Sequence, residues 1–341
     1  MFNLLNSRHP KMKMAVQFVM RITILFLLTY ELAEAAAAPM AKPDCNSTCG
    51  NLEIPYPFGI GPDCYMDKSF EIVCDGSGAF LTSIDTEVQQ INIGSGSYRS
   101  DPYNSHFDSP TVQVLLPIIY SETCLSTTLS TGSNRRLNFT GCPFSFSTVD
   151  NTFISVGCDN FATITSTAPT VFGCSSDCTP SMESGGLSCS GFNCCEATNI
   201  PSYLQEFAVD FRSLSESCNF LYYGEIVPCR YAFLVDQNWL KESKPDPSFV
   251  QYWEYVPVVL DWQVNHRTIN TSEFRGNRTI YKVNPPSLGI IGFCAPGYEG
   301  NPYLPIGLGC QGKLQIHSSN FTPHYMPFFY FFIFNSWTIL K

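Results

Sequence analysis

Charge is scarce in this chain: Asp, Glu, Lys and Arg make up 14% of its 341 residues, against about a quarter in an average globular domain. Basic residues are the scarcer sign, 19 Lys and Arg against 29 Asp and Glu, for a net charge of −10. That balance excludes a nucleic-acid partner, which needs a basic patch, and it removes long-range attraction for any polyanion. Histidine is rare as well, and the five present make no triad pattern with a Gly-x-Ser-x-Gly elbow. Kinase landmarks are missing: no glycine-rich loop precedes a strand lysine, and neither His-Arg-Asp nor Asp-Phe-Gly occurs. Gly94-Ser-Gly96 lacks the third glycine of a phosphate loop. Long apolar runs are missing too. The run Ile22–Tyr30 offers about ten apolar residues where a membrane span takes about twenty.

Cysteine, by contrast, is plentiful. The sixteen are Cys45, Cys49, Cys64, Cys74, Cys124, Cys142, Cys158, Cys174, Cys178, Cys189, Cys194, Cys195, Cys218, Cys229, Cys294 and Cys310. An even count, confined to the region after a basic and then apolar N-terminus, reads as a disulfide framework formed in an oxidising lumen. Arg8, Lys11 and Lys13, the apolar core and the small residues from Ala33 to Ala38 read as a cleavable export signal over 1–38. Arg21 interrupts the core, so the competent segment starts as far in as Met12 or Met14. Zinc is disfavoured although Cys174 and Cys178 have ligand-like spacing, because exported thiols oxidise. The adjacent Cys194 and Cys195 are expected to send bridges in two directions. Sequons at Asn46, Asn138, Asn270, Asn277 and Asn320 point to exposed, glycosylated positions. The expected location is secreted or in the extracellular wall, with the outer face of the plasma membrane as the alternative.

The fold expected is β-rich, with one or two short helices in a second module and disulfide-rich extracellular modules throughout. Phe70–Cys74, Ala79–Ile84, Val88–Ile93, Val112–Ile119 and Phe153–Val156 are short β-prone runs separated by turn residues. They belong to a first module over 45–165. A second cysteine-rich module spans 166–285. There the steps among Tyr203, Leu204, Phe207, Phe211 and Leu214 predict a helix from Pro201-Ser202. Asp236 is expected to cap a short helix through Leu240. Val256–Trp262 reads as a strand, with Pro257 drawing it to a sheet edge. A last, short cysteine-bearing segment covers 286–312. The aromatic tail over 313–341 has two readings, a membrane anchor at Tyr325–Leu340 and an overhang past the last module.

The most specific string is Cys45-Asn-Ser-Thr-Cys49-Gly50-Asn51-Leu-Glu-Ile54-Pro55-Tyr56-Pro57-Phe58-Gly59-Ile60. Two prolines force extended geometry at Ile54 and Tyr56. The string resembles the start of the galacturonan-binding module of plant wall-associated receptor-like kinases. Cys64, Phe70 to Cys74 and Asn138-Phe-Thr-Gly141-Cys142 are similar to its later landmarks. Gly157-Cys158-Asp159, Gly173-Cys174 to Cys178, and Gly191-Phe-Asn193-Cys194-Cys195 through Pro201 resemble the second cysteine-rich region of that family. Tyr231 to Val235 and Val256 to Trp262 are similar to its closing portion. Cys294-Ala-Pro-Gly297-Tyr298-Glu-Gly300-Asn301-Pro302-Tyr303, ending at Cys310, resembles part of an epidermal-growth-factor-like repeat. No acidic calcium-binding motif follows Cys310, and the resemblance carries over no kinase activity.

The resemblance implies non-catalytic binding of pectin or oligogalacturonides, with no cofactor beyond calcium bridging a pectate ligand. Candidate ligand residues in the first module are Lys68, Tyr98, Arg99, Tyr103, Arg135 and Arg136, aromatic faces for sugar rings and cations for carboxylates. Tyr56 and Phe58 are expected to plug the core instead. Between Cys45 and Asp150, four Lys and Arg face eleven Asp and Glu, a net of −7. Binding must therefore come from a local basic cluster or from calcium. The acid pairs Asp85 with Glu87 and Asp236 with Glu254 are no commoner than chance, so hydrolysis is disfavoured. The alternative function is a protein-interaction module that contacts a receptor ectodomain or secreted peptide.

Overall fold

The structure is a computed structural model and describes residues 18–24, 38–100, 105–121, 136–165, 172–177, 189, 191, 193–214, 229–265, 278–284 and 289–312. Of the expected export signal over 1–38, residues 18–24 are described as an exposed helical segment, and residue 38 is described as well. Among the described residues, no helix is long and apolar enough to cross a membrane. The tail segment Tyr325–Leu340 lies outside the described residues, as do Cys124, Cys178, Cys218, Asn270, Asn277 and Asn320.

The architecture is strand-rich, and its largest sheet has seven strands. Their order is Phe144–Phe146, Tyr255–Trp262, Thr111–Pro117, Thr86–Asn92, Gly78–Leu81, Glu71–Asp75 and Gly59–Ile60. All neighbours are antiparallel except the last pair. The run Val112–Val114–Leu116 alternates buried with half-buried positions, as a strand with one covered face must. A second sheet orders Ile119–Tyr120, Tyr231–Asp236, Asn151–Val156 and Cys194–Ala197. Its two central strands are buried at every residue, so both of their faces are covered. A third orders Leu137–Asn138, Glu206–Arg212, Asn160–Thr165 and Phe172–Ser176. All three sheets take strands from either side of residue 165: Tyr255–Trp262 pairs with Thr111–Pro117, Tyr231–Asp236 with Asn151–Val156, and Glu206–Arg212 with Asn160–Thr165. Asn151 joins the first two sheets. Its amide donates to the Val259 carbonyl at 2.6 Å and accepts from the Val259 N–H at 2.9 Å.

The extended Pro-Tyr-Pro string turns inward. Tyr56 and Phe58 are buried, and Phe58 meets Phe70 and Trp262 edge to face at 5.1 and 5.4 Å. Gly59 is required because a Cβ there would sit 2.2 Å from the Cys64 carbonyl oxygen. Residues 289–312, where a growth-factor-like fragment is expected, dock on the same core. Tyr303 is fully buried 5.2 Å from the Trp262 ring, and Asn301 donates to the carbonyls of Met40 and Tyr56.

Three sequence expectations are corrected. The helix expected from Pro201 is a strand, Glu206–Arg212, paired with Phe161–Thr165 on one side and Leu137–Asn138 on the other. Tyr203 takes a left-handed φ of 58° that ends any helix at its start. Pro257 stands opposite Leu115 inside a two-sided strand. On the other side, however, Phe144–Phe146 pairs only with Leu260–Trp262, so the flank near Pro257 is locally an edge. Cys142, expected in a bridge, carries a free thiol. The short helix does form at Gln237–Ser243, with the Asp236 carboxylate accepting from the Asn238 N–H at 2.7 Å.

Candidate functional site

Five bridges join described cysteines: Cys45–Cys64, Cys49–Cys74, Cys174–Cys195, Cys189–Cys194 and Cys294–Cys310. Cys158 and Cys229 are also disulfide-bonded. The neighbours Cys194 and Cys195 do send their bridges in two directions. Burial raises the Cys142 thiol above its ordinary pKa and so keeps it protonated.

Of the candidate ligand residues, Arg136 lies in a cleft. The cleft holds about 550 Å³ and is walled by Phe80, Leu115, Leu116 and Tyr255, and Asp85 and Glu87 are also in its lining. That volume suits a ligand site. Arg136 stands just before the edge strand Leu137–Asn138, whose pairing with Glu206–Phe207 brings it to Glu206. Its Nη2 donates to Glu206 Oε2 at 2.9 Å, with Glu206 nearly buried and Arg136 half exposed. A guanidinium carries roughly five N–H donors, so donors remain for a second carboxylate.

Lys68 does not line this cleft. It pairs with Glu71 at 2.6 Å and lies 5.7 Å from the Tyr65 ring centre. Hydrogen bonding to Glu71 raises the Lys68 ammonium, and the same bond lowers the Glu71 carboxyl. Tyr98 and Arg99 fall on a hairpin strand, Tyr98–Ser100, that pairs with Ser105–Phe107. Tyr103 and Arg135 lie outside the described residues. Asn46 and Asn138 are exposed, as sequons must be to accept sugar.

Sequence reasoning missed Tyr255 and Glu206, which reach the cleft or its cation from 70 or more positions away. It also missed Asp261, half-buried in an otherwise apolar strand. Burial, and then the charge of Asp150, push its carboxyl up to about 7, against a smaller pull from the Ser147 hydroxyl. The signal was present as one carboxylate inside Val-Val-Leu-Asp-Trp. Asp236 is spent on structure, since it caps the helix and accepts from the Gln113 amide. Among the described residues, no three His, Cys, Asp or Glu side chains group to hold a metal.

Residues 45–100 match the wall-associated receptor kinase galacturonan-binding family, and 186–272 match the wall-associated kinase family. The chain belongs to the wall-associated receptor kinase ectodomain family. Wall-associated receptor kinase-like 10 of Arabidopsis thaliana is 30% identical over 310 residues, which cover 76% of this chain and 38% of that protein. Wall-associated receptor kinase-like 3 and 6 of the same plant are 28% and 27% identical, over 84% and 83% of this chain and 41% and 48% of theirs. The chain thus spans less than half of the length of these relatives. No solved structure matches it. No kinase domain is found in the chain, and the family's ectodomains are extracellular. The matched galacturonan-binding segment supplies Phe80, Asp85 and Glu87 to the Arg136 cleft.

Proposed function

We propose that this chain binds de-esterified galacturonan outside the cell, without transforming it, at the Arg136 cleft. The observation that supports this reading most is the galacturonan-binding match over 45–100, which contributes one wall of that cleft. Tyr255 offers an aromatic face to a sugar ring, and the spare guanidinium donors of Arg136 suit a uronate carboxylate. Asp85 and Glu87 repel that carboxylate unless a cation intervenes. Calcium takes roughly six to eight oxygens, so the two side chains and the ligand's own carboxylates together make a bridged site. On this reading the chain is exported, loses residues 1–38 and carries sugar at its sequons.

Retention on immobilised polygalacturonate, at low ionic strength, tests the reading. Retention is expected with calcium, falling when calcium is chelated. A chain that washes through under both conditions refutes it.

A second reading is contact with a receptor ectodomain or secreted peptide. It is favoured by Phe249 and Tyr252, 55% and 76% exposed with rings 6.4 Å apart, and by the exposed Tyr255. Large exposed aromatics held close together, as Phe249 and Tyr252 are, mark contact surfaces. Replacing Phe249 and Tyr252 with serine separates the readings, because it spares pectate retention and abolishes capture of a protein partner.

A further inference from the structure

A second cleft, of about 360 Å³, lies where the helix Gln237–Ser243 and the turn after it cover the second sheet. Its walls are Ile154, Phe233, Leu240 and Trp253, together with Pro245 and Pro247. Trp253 is held in place edge-on by two neighbours, Phe233 at 6.2 Å and Trp239 at 6.3 Å. The remaining lining is Cys189, fixed by its bridge to Cys194, and three charged residues, Lys241, Lys244 and Glu196. The two lysines are exposed and make no ion pair among the described residues. In a chain with 19 basic residues against 29 acidic ones, two unpaired cations beside an aromatic slot need a reason.

We propose that this cleft binds a small carboxylate with a flat, apolar body. The argument is complementarity on two counts. A flat ring lies against the fixed aromatic wall of Trp253 and Phe233 and loses its apolar surface to water there. Its carboxylate meets Lys241 and Lys244, whose charges outnumber the single Glu196. A bare sugar suits it less well: among the described residues no hydroxyl or amide side chain lines the cleft, and the three charged groups would be left to satisfy every buried sugar hydroxyl. The volume falls within the range of small-molecule sites. The two clefts share no lining residue, so failure of the pectate reading leaves this one standing, and the reverse holds.

The test uses the whole chain and three probes: trans-cinnamate, its uncharged amide, and galacturonate. Calorimetry and tryptophan fluorescence are expected to show saturable cinnamate binding with a change in emission. The amide should bind about tenfold more weakly, the size of one charge-assisted contact. Galacturonate should not displace cinnamate. Replacing both Lys241 and Lys244 with glutamine, at exposed positions that do not threaten the fold, should weaken cinnamate about tenfold and leave the amide unchanged. Trp253→Leu, which keeps the wall apolar, should remove the emission change. The proposal is overturned by any of three results: no cinnamate binding up to millimolar concentration, equal affinity for acid and amide, or an affinity that the lysine replacements do not alter.

Discussion

The seven-stranded sheet and the four-stranded sheet around Cys174 are stabilised by different means. The first closes over aromatic rings: Phe58, Phe70, Phe144, Trp262 and Tyr303 are each at most 1% exposed and touch one another at 5.1 to 6.3 Å. The second is thinner. Phe172–Ser176 is half-buried over most of its length, and Glu206–Arg212 is half-buried beyond Phe207. One bridge makes up part of the difference there: Cys174–Cys195 ties the strand Phe172–Ser176 to the strand Cys194–Ala197 of the second sheet. The seven-stranded sheet is bridged too, Cys49 to Cys74 on its strand Glu71–Asp75, so the contrast is one of degree. Rings fill more of the first interior, and a covalent link that restrains the unfolded chain matters more around the second.

The largest effect should come from the aromatic region. Trp262→Ala removes a ring that joins the Pro-Tyr-Pro string, the sheet and the growth-factor-like fragment through Tyr303. A loss of about 3–5 kcal/mol is expected, the usual cost of emptying a large buried aromatic site. Chemical denaturation should show one cooperative transition moving to lower denaturant. If the fragment with Cys294–Cys310 melted separately in the variant, the shared core would be the wrong description.

Removing the Cys174–Cys195 bridge as a paired serine variant should cost somewhat less, about 2–4 kcal/mol. Hydrogen exchange should place the loss in Asn160–Ser176 and Glu206–Arg212 and leave Thr111–Pro117 protected. Equal loss in both sheets would erase the contrast between them.

Most of the strand map was legible because strands announce themselves through period-two burial bounded by turn residues. Glu71–Asp75 and Thr111–Pro117 fall within two residues of the expected runs. The error at Glu206–Arg212 has a physical source. Phe207 and Phe211 are four apart, a spacing that suits one face of a helix and also one face of a strand, and propensity does not separate them. The positive φ at Tyr203, which does separate them, has no signature in its side chain. The site was less legible than the fold. Arg136 was recognisable as a cation in a polar loop, but its counter-ion Glu206 arrives only through strand pairing. Lys241 and Lys244 drew no reading from the sequence, because the fold alone brings them to the same cleft as Phe233 and Trp253.

The same strand that buries Trp262 carries Asp261 on its opposite face, and pH should expose that difference. The folded pKa, about 7, stands above the ordinary 3.8. The folded state therefore holds a proton that the unfolded chain releases, and stability falls as pH rises from about 4 to about 7. The loss is complete above that window and absent below it. With part of the side chain still in solvent, a change on the order of 1–2 kcal/mol is expected. Asp261→Asn should flatten the slope of melting temperature between about pH 4 and about pH 8. An unchanged slope would mean that Asp261 ionises freely in the fold.

The smallest stability effect belongs to the Arg136–Glu206 pair, which is also where the cleft's ligand reading is most exposed to test. A half-exposed ion pair contributes about 0–1 kcal/mol, so Glu206→Gln should scarcely move the melting point. Its effect on binding should be larger. If a uronate carboxylate takes the spare donors of Arg136, it sits beside the like charge of Glu206 and is repelled by it. Neutralising Glu206 then strengthens retention on polygalacturonate severalfold. Arg136→Gln weakens it, and restoring the cation as Arg136→Lys recovers only part, since an ammonium lacks the planar fork. Raising salt should narrow the gap between these variants, as screening acts on the exposed charge. Should Glu206→Gln bind pectate no better than the parent chain, Arg136 is a structural partner of Glu206 alone, and the aromatic patch at Phe249 and Tyr252 becomes the better place to look for a ligand.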